Sequence, residues 1–393
     1  MIRPAEVANL ISLMARVRPR VSDLIFTAGR PLQVAADGKL HPVELAHFKV
    51  DVLTPFQTEV LSLALIGNQG RLLRDLLKHG SADFSYHLPD GTRFRVNIFS
   101  RQGTYSIVMR KLASKPPRIK DLGLPEACYQ MAKEKTGIIL VTGATGQGKT
   151  TTLAAILEEI NHTEPLHIIT LEDPVEYVHQ PVKATFNQRE LGTDFDTFAS
   201  GLRAALRQAP HIILVGEIRD RETMEIALSA AETGHLVFST MHTVGAGNTI
   251  NRILGFFNIE EERQIRLRLA DTVRWIVGQK LIPKKEGGRI AIFEILYNNI
   301  RAKETIIHGE DEGRTFYDIM SKGSPYHMQT FDQHLLNLYQ EEIITEETAL
   351  AYCTRRDIVG RGIDMIKSKR GEKTSDIEGL DLEIEKDYLR RRW

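Results

Sequence analysis

The stretch GIILVTGATGQGKTTTLAAILEEI, residues 137–160, decides how the chain is read. Residues 138–142 form an unbroken apolar and β-branched run, the pattern of a strand buried on both faces. Residues 143–150, GATGQGKT, match G-x-x-x-x-G-K-[ST], and a helical pattern follows them. A polyphosphate needs several N–H donors converging on one point. A tight glycine-rich backbone supplies them, and a helix starting near Gly148 adds the positive end of its dipole. The backbone of Gly143, Thr145, Gly146, Gln147 and Gly148 is therefore expected to cradle the phosphates, with Thr151 alongside. Lys149 is expected to reach the β- and γ-phosphates, and the Thr150 hydroxyl to ligate Mg²⁺.

Downstream, short β-branched runs at Gly137–Thr142, His167–Leu171, Ile212–Val215 and Leu236–Thr240 alternate with helical segments. That alternation predicts a parallel sheet with crossover helices. Ligands of such sheets gather at the carboxyl ends of the strands, and acidic residues stand at two of these ends. LEDPVEY places Glu172, Asp173 and Glu176 after one strand, and HIILVGEIRD places Glu217 after another. Glu217 is assigned to the Mg²⁺ shell and Glu176 to polarising the attacking water. The plainer alternative is that these acids only cap strands and helices. His235 and His242 lie seven residues apart. Along an uninterrupted strand they would point to opposite faces, which argues against a shared metal site. His242, near a strand end, is a candidate sensor of the γ-phosphate.

Upstream, residues 1–111 read as an α+β unit. Val7, Leu10, Ile11 and Met14 recur at helical spacing, Thr54–Lys78 is helical, and 81–112 is strand-rich. Asp37-Gly38 and Asp90-Gly91 are hairpin turns. A proline-marked linker at 112–125 leads to the sheet domain at 126–357, which is read as mostly helical from about Glu260 onward. Residues 358–393 are read as a charged C-terminal tail.

The 393 residues hold 51 Lys+Arg against 51 Asp+Glu, so bulk charge does not hold the protein to nucleic acid, and no nucleic-acid partner is expected. Two cysteines, Cys128 and Cys353, exclude a disulfide framework and suit a reducing cytoplasm. No apolar run approaches the roughly 20 residues that cross a bilayer.

Taken together, GATGQGKT, LEDPVEY, the run from Leu202 to Thr243 and MQTFDQ at 328–333 resemble the secretion-type ATPases of type IV pili. Within that family the chain is most similar to the twitching-motility retraction group, through SDLIFTAGRP at 22–31 and RFRVNIFSRQG at 93–103. The resemblance implies an α/β architecture, with a PAS-like N-terminal α+β domain and a RecA-like P-loop ATPase domain ending in a helical region. It also implies a homohexameric ATP-driven motor, cytoplasmic and peripheral at the inner-membrane face, docked on an inner-membrane platform protein. By position, Lys149 and Thr150 become the Walker A residues, Glu176 the catalytic glutamate of the Asp box and Glu217 the Walker B glutamate. His235 and His242 fall in the His box, and Arg93, Arg95 and Arg110 are the candidate phosphate-contacting arginines. The alternative for each arginine is a solvent-facing strand residue.

Ala144 and Gln147 stand where proline and serine are usual in the loop, and Tyr297–Ala302 matches the retraction group's Ala-Ile-Arg motif only in part. The reading carried forward is a pilus retraction ATPase, with an accessory paralogue of such a motor as the alternative. A paralogous retraction ATPase is a further candidate partner. An assembly or secretion ATPase is disfavoured by the absence of a tetracysteine insertion, and a low-turnover nucleotide-binding regulator by the intact Lys149, Glu176 and Glu217.

Overall fold

The computed structural model describes residues 4–45, 48, 50–112 and 115–372, and the chain divides into two compact units. The first holds residues 1–116 together with 171–180 and 188–196; the second holds the remainder. The main division falls between Pro116 and Pro117.

In the first unit, α1 (Pro4–Arg16) is followed by β1 (Val21–Thr27), β2 (Gln33–Ala36) and β3 (Lys39–Pro42). Then come α2 (Pro55–Ile66), α3 (Gly70–His79), β4 (Ser81–His87), β5 (Arg93–Arg101) and β6 (Thr104–Lys111). Among the described residues the strands form an antiparallel six-stranded sheet in the order β3-β2-β1-β6-β5-β4. Both expected hairpin turns are present, between β2 and β3 and between β4 and β5. Alternation sorts β5 cleanly: Phe94, Val96 and Ile98 are fully buried, and Met14, Leu61 and Leu65 of α1 and α2 belong to the same core. The opposite face carries Arg93, Arg95 and Asn97. Thr54–Lys78 folds as two helices because the Gly67-Asn68-Gln69 stretch interrupts it. Thr54 starts α2 with a capping box to Gln57, and Pro55 opens the first turn.

The second part of the chain runs α4 (Ala127–Met131), β7 (Gly137–Thr142), α5 (Lys149–Thr163), β8 (His167–Glu172), β9 (Thr185–Glu190) and α6 (Phe198–Ala205). It continues β10 (Ile212–Val215), α7 (Arg221–Glu232), β11 (Leu236–Met241), α8 (Ala246–Leu254), α9 (Glu262–Thr272), β12 (Val273–Pro283) and β13 (Arg289–Tyr297). Helices α10 (Ile300–His308), α11 (Phe316–Ser321), α12 (Phe331–Gln340), α13 (Glu346–Tyr352) and α14 (Arg356–Arg370) complete the described chain. Among the described residues the sheet has seven strands in the order β13-β12-β7-β11-β10-β8-β9. Strands β7, β10 and β11 are buried along their whole length and pair in parallel, as central strands of an α/β sheet must.

Three features differ from the sequence reading. Residues 273–297, expected within a mostly helical region, form the long antiparallel hairpin β12–β13, which extends the sheet beyond β7. Strand β9 had no assignment. The stretch expected to begin a charged tail at 358 is instead helical as far as Arg370. It buries Val359 and Ile363 in a core with Leu335, Leu338 and Ile344, because their i, i+4 spacing makes one apolar stripe. Residues 373–393, the rest of that expected tail, lie outside the described residues.

Candidate active site

Strand β7 delivers the glycine loop at the carboxyl edge of the sheet, and α5 leaves from it. Two of its glycines are required by geometry. Gly143 has φ +148°, and a Cβ there would lie 2.5 Å from the Gln279 carbonyl oxygen. Gly148, the residue before α5, has φ +82°, and its Cβ would meet the Gln279 amide nitrogen at 2.9 Å. Lys149 is buried, and its ammonium donates to the carbonyls of Gly143 and Ala144 at 2.8 and 3.0 Å. Burial pulls its pKa down, while the nearby Glu217 carboxylate acts in the opposite sense. Thr145 and Gly146 are exposed, and Gln147, Thr150 and Thr151 are half-buried in the loop and the first turn of α5. The Gln147 side chain accepts the Leu281 amide N–H at 2.5 Å, so the residue contributes more than its backbone to the loop.

Two neighbouring strands bring their carboxyl ends to this loop. Glu217 follows β10, and its carboxylate takes the Arg219 guanidinium at 2.6 Å. His242 follows β11; its Nε2 is 3.2 Å from the Glu217 carboxylate and its Nδ1 3.5 Å from the Thr145 hydroxyl. The structure thus gathers Thr145, Lys149, Glu217 and His242. His235 is not with them. In the β11–β7 register Leu236 pairs with Gly137 and Met241 with Thr142, so His235 sits at the amino end of the sheet. There its Nδ1 lies 3.0 Å from the Ala230 carbonyl and its own carbonyl accepts from Gly137. The seven steps from His235 through β11 to His242 set the two histidines roughly 23 Å apart at ~3.3 Å per residue. They are separated by strand length, a larger separation than opposite faces alone would give.

The first unit holds the other predicted residues, and it treats the arginines differently. Arg95 and Arg110 pair across β5 and β6 and stay exposed, Arg95 4.0 Å from Asp83 and Arg110 2.9 Å from Asp23. Arg93 is 6 % exposed. It donates to the Val175 carbonyl at 2.6 Å and the Glu176 carbonyl at 3.4 Å, with His87 Nε2 at 3.4 Å from its Nε. Burial lowers its pKa, and Glu190 and Glu172 oppose that. The Arg93 side chain therefore grips the backbone that carries Glu176, which is itself half-buried. Nearby, Glu190 accepts the Val175 amide at 3.2 Å and the Ser85 hydroxyl at 2.7 Å, and Glu172 accepts from Gln188 at 3.1 Å. Sequence reasoning missed Arg219 and Gln279. The signal for Arg219 is its place two residues from Glu217; Gln279 carries none, because its stretch fits a helix as well as a strand.

A glycine loop between a buried parallel strand and a helix, with a buried lysine, a carboxylate and a histidine converging on it, defines a P-loop nucleoside triphosphatase. The family profile described as Type II/IV secretion system protein matches residues 81–324, and the chain belongs to that family. The type IV pilus retraction ATPase PilT of Pseudomonas aeruginosa is 38 % identical over 344 residues, which is 88 % of this chain and 97 % of that protein. The type IV pilus ATPase PilU of the same organism is 36 % identical over 384 residues, 97 % of this chain and 98 % of that protein. Among solved structures, the pilus retraction motor PilT with bound ADP superposes with a TM-score of 0.80 at 38 % identity, covering 90 % of this chain and 98 % of that one.

Proposed function

We propose that the chain is an ATP-hydrolysing motor of type IV pilus retraction, the activity that drives twitching motility. The observation that carries this reading is the convergence of Lys149, Glu217 and His242 on the phosphate loop, in a chain similar along most of its length to a pilus retraction ATPase. The loop amides bind the phosphates, and Lys149 exchanges its bonds to Gly143 and Ala144 for phosphate oxygens. His242, held by Glu217, senses the γ-phosphate through the Thr145 end of the loop. Glu176 polarises the attacking water, and the exposed Arg95 and Arg110 offset charge that develops on the γ-oxygens.

The Thr150 hydroxyl and the Glu217 carboxylate are hard oxygen donors of the kind Mg²⁺ takes, and they fit a metal that keeps most of its ligands as water and phosphate. When bound, Mg²⁺ would neutralise charge shared by the β- and γ-phosphates. We further propose a PAS-like N-terminal domain at 1–111, a linker at 112–125 and an ATPase domain at 126–357. The working form would be a homohexamer on an inner-membrane platform protein at the cytoplasmic face. Among the described residues no helix is long and apolar enough to cross a membrane.

A second reading, an accessory paralogue working beside a primary retraction ATPase, is favoured by one observation. The match to PilU covers 97 % of this chain, against 88 % for PilT. Cells carrying Lys149→Ala at the native locus test both. More surface pili with lost twitching would support the retraction motor. Unchanged piliation, with a defect only when a second retraction ATPase is also removed, would favour the paralogue. Bare cells would reverse the direction of work.

A further inference from the structure

Strand β12 is longer than its neighbour. Gly278 pairs with Thr142, the last residue of β7, and β12 then continues through Pro283 beside the phosphate loop. The residue after Gly278 is Gln279, a polar side chain only 3 % exposed. Its carbonyl Oε1 accepts the Thr152 hydroxyl of α5 at 2.8 Å, and its Nε2 donates to the Gln147 backbone carbonyl at 2.7 Å. One amide thereby ties the helix behind the loop to the loop itself. Two residues on, Leu281 donates its N–H to the Gln147 side chain. Gly143 and Gly148 lie so close to Gln279 that a Cβ on either would collide with it.

The other face of the same strand meets the C-terminal helices. A Cβ on Gly278 would lie 3.1 Å from the Phe331 ring of α12. Lys280 stands 4.3 Å over that ring and donates to the Tyr352 carbonyl of α13 at 3.3 Å. Residues 278–281 therefore alternate, with odd positions holding the loop and even positions held by helices.

We propose that Gln279 is a positioning residue for nucleotide binding. Its amide fixes the phosphate loop against β12, and through that strand the C-terminal helices set the loop's affinity for ATP. The inference rests on the loop being the nucleotide site. Donors in a pre-formed loop act on the phosphates in the ground state and the transition state alike. Loss of the brace should therefore raise KM with little change in kcat.

The test is Gln279→Leu, close in size but without either hydrogen bond, and Thr152→Val, which removes only the hydroxyl that Gln279 Oε1 accepts. Full-length proteins are compared for steady-state ATP hydrolysis, for binding of a fluorescent ATP analogue and for thermal unfolding without nucleotide. Gln279→Leu is expected to raise both KM and the analogue's Kd about tenfold, the equivalent of ~1.4 kcal/mol, with kcat within about threefold of wild type. Thr152→Val is expected to move the same quantities in the same direction by about threefold, and it keeps the test decisive if the first variant does not fold. Unchanged KM and Kd in a folded Gln279→Leu would overturn the inference, as would a drop in unfolding temperature with no change in either constant. If Gln279→Leu does not fold, unchanged constants in a folded Thr152→Val overturn it. Wild-type protein that fails to bind the analogue would overturn the nucleotide site itself.

Discussion

Arg93 offers the sharpest trial of the site, because the family resemblance and the geometry assign it different work. The resemblance makes it a contact to phosphate. In the structure its guanidinium is buried and spent on the carbonyls of Val175 and Glu176 and on His87. Arg93→Ala removes charged-donor hydrogen bonds and leaves a carbonyl on the buried Val175 without its partner. Hydrogen bonds to charged groups contribute ~1.5–3 kcal/mol and an orphaned buried acceptor costs ~1–3, so with partial relaxation the destabilisation should be about 2–4 kcal/mol. Arg93→Lys keeps the charge, but one ammonium cannot reproduce the planar fork that spans two successive carbonyls. It should lose less stability than the alanine variant and still release the segment that carries Glu176.

A carboxylate shifted by about 1 Å from its water can lower turnover by ~10²-fold. Arg93→Lys is therefore expected to lower kcat by one to two orders of magnitude with KM nearly unchanged. The assay is steady-state ATP hydrolysis of both variants beside their unfolding curves. Raised KM with wild-type kcat and wild-type stability in Arg93→Lys would refute the reasoning and return Arg93 to the phosphate.

Two further expectations concern the C-terminal region. Burial holds the His334 imidazole at about 4, and its Nδ1 accepts the Phe293 N–H at 3.1 Å. Unfolded, it titrates near 6.5, so its stabilising contribution is complete above that pH and falls away as pH drops towards 4; the loss over that window is about 3 kcal/mol. His334→Asn, which keeps an acceptor near the Nδ1 position, should flatten the pH dependence of unfolding between 6.5 and 4. Ile363 of α14 is 1 % exposed, and Ile363→Ala should destabilise by about 2–5 kcal/mol, while Met365→Ala, at 60 % exposure, should cost almost nothing. Equal, negligible effects of the two on thermal unfolding would mean that α14 does not dock on α12.

The strands β7, β10 and β11 were legible because central parallel strands are apolar on both faces and short enough to distinguish from helices. The same burial hid β12. VRWIVGQKLIP is eleven residues with little alternation, and a run of that length fits a buried helix as well as a strand. The Gly287-Gly288 pair before β13 is the hairpin signal in this stretch. Strand β9, TFNQRE, lies at the sheet edge and carries too few apolar residues to announce itself. Helix α14 is charged enough to read as tail, since only one narrow stripe of it is buried.

The proposed site divides along the same line, between residues assigned the chemistry and residues that hold them in place. Lys149, Thr150 and Glu217 stand within or beside local motifs, where backbone geometry fixes the spacing and the spacing is visible in one sequence. The residues that grip those motifs act across the fold. Arg93 meets Val175 from 82 positions away, and Gln279 meets Thr152 from 127. No helical or strand period reaches that far; only sheet order and register bring such pairs together. Substitution at Arg93 or Gln279 should therefore act on hydrolysis by moving groups it does not replace, and the two should differ in kind. Arg93 holds the segment of Glu176, so its loss should fall on kcat; Gln279 holds the phosphate loop, so its loss should fall on KM. If both variants lost kcat and KM together in proportion to lost stability, the division into separate holding elements would fail, and the site would have to be treated as one cooperative unit.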